Sequence, residues 1–140
     1  MVMKNKSFLK ITFYSLITIF IFLLVYFLAP ISSVIKRRFF PLVVILGFIF
    51  FILGVMLAFI AKKRRGKLKL FLTMTGISAM SFFAFSILHN LFYGLGITFE
   101  NFKYLFEALH IASFIISIII APIAFIIGVI GSLILFRHKI

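Results

Sequence analysis

Polar residues fall in short clusters along this chain, and four long apolar runs lie between them. The first run begins after Lys10 and continues past Ala29 and Pro30. The second covers about Phe39 to Ala61, the third about Leu70 to Ile97, and the fourth about Phe106 to Phe136. A helix rises about 1.5 Å per residue and the hydrocarbon core of a bilayer is about 30 Å thick, so each run is long enough to cross. The pattern predicts an all-α integral membrane protein, a four-transmembrane-helix bundle with short loops that forms a single membrane domain over 1–140. Its spans fall at about 11–34, 39–61, 70–96 and 106–136, with a short interfacial segment at about 98–105. The first run is longer than the apolar core of a signal peptide, about 7 to 15 residues, and reads as a retained helix.

Composition narrows the class further. Hydrophobic residues make up 65% of the chain and charged residues 12%, against about 25% charged in soluble domains, so a soluble fold is excluded. Fifteen Lys and Arg face two acids, a net charge of +13. The basic residues sit between apolar runs, where anionic lipid headgroups are the nearest partner, so the basicity reads as topology and not as a nucleic-acid footprint.

The distribution of those charges sets an orientation. Eleven basic residues belong to the N-terminus (Lys4, Lys6, Lys10), the second loop (Lys62, Lys63, Arg64, Arg65, Lys67, Lys69) and the C-terminal tail (Arg137, Lys139). Four belong to the first and third loops (Lys36, Arg37, Arg38, Lys103). The positive-inside rule therefore predicts both termini on the cytoplasmic side of a plasma or cytoplasmic membrane. The second loop also fixes topology by stopping transfer, and it presents a docking patch to anionic headgroups.

Candidate chemistry is sparse. Cys, Asp, Gln and Trp are absent, which removes thiolate ligands, disulfides and every motif that depends on an Asp. What remains concentrates between residues 86 and 111. Ser86, His89, Asn90 and Tyr93 recur at helical spacing on the third run, and Glu107, His110, Ser113 and Ser117 on the fourth. If the third helix surfaces near Gly94 or Gly96 and the fourth submerges near Phe106, His89 lies about 8 to 10 Å deep and His110 about 6 Å, so the two can meet in the outer leaflet.

Several chemistries fit that strip, which makes His89, Asn90, Tyr93, Glu107 and His110 a candidate ligand or proton site. Glu-x-x-His is a ligand spacing in carboxylate metal sites of four-helix bundles, and His89, Glu107 and His110 form a two-His, one-carboxylate set suited to a divalent metal. Two histidines at similar depth also admit a bis-imidazole haem, provided the macrocycle has room between them. Against both stands plain interface chemistry: Glu100, Lys103 and Glu107 are spaced as a ladder of ion pairs, and His89 with Asn90 could hydrogen-bond two helices together. Ser86 and His89 lie side by side on one helix, a poor arrangement for nucleophile and base, so no enzyme class is indicated.

Small residues form stripes: Gly47, Gly54, Ala58 and Ala61 on the second run, Thr75, Gly76 and Ala79 on the third, and Ser113, Ser117, Gly128 and Gly131 on the fourth. Small side chains let helix backbones approach closely in lipid, which predicts tight packing within the bundle, with a second copy, or within a larger membrane complex. Pro41 and Pro122 each precede a glycine by six residues, in "PLVVILG" and "PIAFIIG", which hints at a duplicated helical hairpin. Pro122 lies inside the fourth run and predicts a local break in its hydrogen bonding.

In length and in its four short-looped helices the chain is similar to the small multidrug-resistance transporters. That family depends on a membrane-embedded Glu in its first helix, and the first run here has no acid, so the likeness stops at size. The leading expectation is a small non-enzymatic membrane protein, an interaction or accessory subunit acting through its small-residue stripes. A metal-binding or proton-coupled small transporter using the outer polar strip is the alternative, and a b-type haem protein the third reading.

Overall fold

The computed structural model describes residues 2–137, with side chains from Ser7 onward, so Lys139 and the side chains of Lys4 and Lys6 lie outside the described residues. The described chain is all-helical. Its helices are α1 (Val2–Leu28), α2 (Ser33–Ala61), α3 (Gly66–Thr98), α4 (Lys103–Ile115) and α5 (Ala121–Arg137). A 3₁₀ turn, Glu100–Phe102, precedes α4, and a wide π turn, Ile116–Ile120, joins α4 to α5. Four segments are long and apolar enough to cross a membrane: Ser7–Leu28, Ser33–Ala61, Gly66–Thr98 and Glu100–Arg137.

The helix ends depart from the limits of the apolar runs. α1 stops at Leu28, short of 34, because Pro30 disfavours helical geometry at the residue before it. Ser32 then caps α2, its side chain accepting a hydrogen bond from the Ile35 amide at 3.5 Å. Lys36, Arg37 and Arg38 therefore lie on the first turns of α2 and not in a loop. The hairpin is tied by Tyr26, whose hydroxyl donates to the Lys36 carbonyl at 2.7 Å, and by the Lys36 ammonium, which donates to the Phe27 carbonyl at 3.4 Å.

Between α2 and α3 the chain turns at Lys62–Arg65, and Gly66 takes a φ of +66°. Nothing lies within 4 Å of a Cβ built there, so the requirement for glycine is backbone conformation and not space. Lys67 and Lys69 stand exposed on the first turn of α3, while Lys62, Lys63 and Arg65 are exposed in the turn before it. The Lys62 ammonium lies 4.7 Å from the centre of the Phe59 ring. At the other end α3 stays helical through Gly94 and Gly96 to Thr98, since a helical glycine costs only about 1 kcal/mol relative to alanine.

Buried positions recur at alternating spacings of four and three. In α2 they are Val43, Gly47, Phe50, Gly54, Leu57 and Ala61, the seam that long helices present to close neighbours. α3 packs against α2, α4 and α5, while α1 lies beside α2. The crossing of α2 and α3 is a backbone contact: a Cβ on Gly54 would lie 2.8 Å from the Gly76 carbonyl oxygen, and one on Gly76 would lie 2.7 Å from that of Gly54. α5 approaches α3 in the same way, where a Cβ on Gly128 would come within 2.9 Å of the Thr75 amide nitrogen. The Phe71 ring covers Gly131 and the Phe83 ring covers Gly47.

At the centre, one phenylalanine from each of three helices meets the others. The Phe20 and Phe125 ring centroids are 4.5 Å apart, Phe50 and Phe125 5.3 Å, and Phe20 and Phe50 6.3 Å. Phe82 of α3 adds an edge-on contact to Phe50 at 6.1 Å. Such ring pairs contribute about 0.5–1.5 kcal/mol each beyond their area.

The wide turn has a cause in the sequence. Pro122 has no amide hydrogen to offer the Ile118 carbonyl, and the Ala121 amide reaches back five residues to the Ile116 carbonyl. The buried positions of this span also carry one residue too many for regular alternation: Ser113, Ser117, Ala121 and Phe125 are each four apart. A wide turn absorbs that extra residue and keeps both halves facing α3. Pro41, by contrast, sits within unbroken α2. Gly47 packs across to Phe83 of the other hairpin, while Gly128 packs on its own hairpin partner α3, so the two Pro-to-Gly segments do not make equivalent contacts.

Candidate functional site

The end of α3 and the start of α4 bring together the polar residues that hydropathy left stranded. His89 and His110 lie in facing helices, half-buried, with ring centroids 3.9 Å apart and planes inclined by 21°. Each ring reaches the other helix's backbone: His89 Nδ1 is 3.2 Å from the His110 carbonyl oxygen, and His110 Nδ1 is 3.0 Å from the His89 carbonyl oxygen. A carbonyl can only accept, so each Nδ1 carries the hydrogen in these bonds, and a neutral ring keeps its lone pair on Nε2. The pair forms a reciprocal clasp between α3 and α4.

Aromatic rings flank the clasp. Tyr93 lies 5.3 Å from the His110 ring and Phe114 lies 5.2 Å from the His89 ring. Ser86 donates to the Phe82 carbonyl at 2.7 Å and Asn90 to the Ser86 carbonyl at 2.9 Å, both bonds within α3. Asn90 is therefore a neighbour of the clasp whose recorded bond stays on its own helix. Deeper in, Ser113 and Ser117 are buried, and Ser117 donates to the Phe114 carbonyl at 3.1 Å.

Beside the clasp an open groove of about 400 Å³ runs between the end of α3 and the start of α4. Tyr93, Ile97, Glu100, Lys103, Glu107 and His110 are among the residues that line it. Glu107 and His110 share this wall because three residues separate them on a helix. His89 does not line the groove; its ring is turned onto His110 and Phe114.

That orientation decides how the candidate ligands stand. His89, Glu107 and His110 do not converge, and among the described residues no group of three His, Cys, Asp or Glu side chains is placed to hold a metal ion. A bis-imidazole haem needs its two rings on opposite sides of the porphyrin. The 3.9 Å stack leaves no slot for one, so the haem reading is set aside on geometry.

The stripe residues are placed elsewhere, inside the chain. Gly47, Gly54, Gly76, Gly128 and Gly131 abut α2, α3 or α5 of the same molecule, and Ser113 and Ser117 are buried. These residues carry packing within the chain itself. Depth arithmetic brought the two histidines to one level, but three features had no signal in the sequence. They are the clasp's backbone partners, the central ring cluster among 22 phenylalanines, and the Tyr26 tie. Comparison with protein families, curated proteins and solved structures found no match.

Proposed function

We propose that this chain is an integral membrane protein of four spans with both termini on the cytoplasmic side of a plasma or cytoplasmic membrane. It works by binding, not by catalysis, as an interaction or accessory subunit. Its basic turn between α2 and α3 rests against anionic headgroups, and its recognition surface is the outer mouth formed by α3 and α4. The observation that carries this reading is the groove of about 400 Å³ set beside the clasped histidines, where Tyr93, Glu107 and His110 share one wall. Pockets of about 300 to 1,000 Å³ with a few convergent polar groups are the usual form of a small-ligand site. The clasp supplies the rigidity such a site needs, because each imidazole is fixed both by its hydrogen bond and by the opposing ring.

Photocrosslinking in native membranes tests the reading. A benzoylphenylalanine replacing Ile97, in the groove, should form an adduct of defined mass that is absent when the same probe replaces Ile45, which is exposed on α2. The adduct should disappear in His110→Ala. Identical adduct profiles at the two positions would overturn the binding role of the mouth.

A further inference from the structure

The groove carries both signs of charge in a chain that is short of one of them. Glu100 and Glu107 are the only two acidic residues of the sequence. Both line this groove, together with Lys103, the Tyr93 ring and an apolar wall of Phe92 and Ile97. A simple anion entering there meets two carboxylates, and a simple cation meets the lysine. A ligand holding a phosphate and a primary ammonium a few bonds apart can pair with both, and such charge-assisted hydrogen bonds are the strong kind.

The shape of the groove adds a second constraint. Tyr93 and Ile97 line it and are themselves 60% and 67% exposed, so it opens sideways instead of closing over a ligand. In a chain that spans a membrane, a groove at the end of two helices with an apolar side opening faces acyl chains on one flank and head groups on the other. The same phosphate-and-ammonium chemistry exists free in solution, but a soluble ligand would leave the Ile97 flank uncovered.

We infer that the groove holds the head group of an aminophospholipid of the phosphatidylethanolamine type. Glu100 and Glu107 receive the ammonium, Lys103 and the Tyr93 hydroxyl receive the phosphate, and the acyl chains leave along Phe92 and Ile97. Choline has no N–H to donate to a carboxylate, and a glycerol head group has no cation, so both are discriminated against. The inference rests on the mouth being a binding surface, and it adds the occupant.

Native mass spectrometry of the full chain in mild detergent tests it. The protein is titrated with dioleoyl phosphatidylethanolamine, phosphatidylcholine and phosphatidylglycerol. The ethanolamine lipid should be retained about tenfold over each of the others, the difference that one charge-assisted hydrogen bond confers. Glu107→Gln and Lys103→Met, both at exposed positions, should each remove that preference while circular dichroism and elution volume stay unchanged. Glycerophosphoethanolamine, which has the head group and no acyl chains, should fail to displace the lipid at equal concentration.

Equal retention of the three lipids overturns the inference, as does a preference that survives both variants. Displacement by the soluble head group overturns the assignment to a lipid. A groove-specific adduct at position 97 of some other chemistry would leave the binding role of the mouth standing while the lipid occupant falls.

Discussion

Single residues control this molecule through the space they leave empty. Gly76 lies against the α2 backbone, where a Cβ would sit 2.7 Å from the Gly54 carbonyl oxygen and 2.8 Å from the Ala58 nitrogen. Backbone cannot swing aside as a side chain can, so Gly76→Ala forces α2 and α3 apart. Gly94 lies on the same helix with nothing within 4 Å of its added Cβ. Gly76→Ala should cost about 1–3 kcal/mol, the range for overpacking, whereas Gly94→Ala should be neutral or stabilise by up to about 1 kcal/mol. Thermal unfolding in detergent checks the pair, and a Gly76→Ala protein that melts with the wild type would show that the crossing tolerates a methyl group.

At the scale of the element, the fourth span is the informative one. Its buried positions contain a run of fours, Ser113, Ser117, Ala121 and Phe125, at the place where the helix widens. If the wide turn exists to absorb one surplus residue, deleting that residue should restore a regular helix with both halves still facing α3. Deletion of Ile119 should therefore leave stability within about 1 kcal/mol of wild type, as a volume-conserving repacking does. Deletion of Ile127, in regular α5, should rotate Gly128 away from Thr75 by about 100° and prevent folding. Elution volume and melting temperature of the two deletions separate these outcomes.

The elements were legible in the sequence to different degrees. Four apolar runs announce four helices because in lipid the chain must satisfy its backbone internally. Their ends are less legible, since hydropathy averages over a window and misses the local chemistry of Pro30, Ser32 and the capable but costly helical glycines. At the candidate site, the level at which His89 meets His110 follows from counting residues. Which atoms they address does not, because a backbone carbonyl 21 residues away on the next helix leaves no trace in composition. The small residues could not name the surface opposite them, and the atoms nearest Gly54, Gly76 and Gly128 belong to the chain itself.

For the whole molecule, the lack of cysteine makes the proposed orientation directly measurable. Single-cysteine variants carry no background thiol, so a membrane-impermeant maleimide applied to intact cells reads each position directly. Asn101→Cys, in the 3₁₀ turn, should label without permeabilisation, and Arg65→Cys, in the basic turn, only after it. Labelling of Arg65→Cys in intact cells would invert the proposed topology.

The central ring cluster sets an order of assembly. Phe20 and Phe50 belong to α1 and α2, the first two helices to be synthesised, and they stack at 6.3 Å, near the far limit for such a contact. The ring that sits closest to each of them, Phe125, arrives on the last of the four spans to leave the ribosome. Until then the first hairpin lacks the ring that fills the space beside Phe20 and Phe50. A chain ending before residue 125 should therefore leave Phe20 and Phe50 without the ring that lies nearest to each of them.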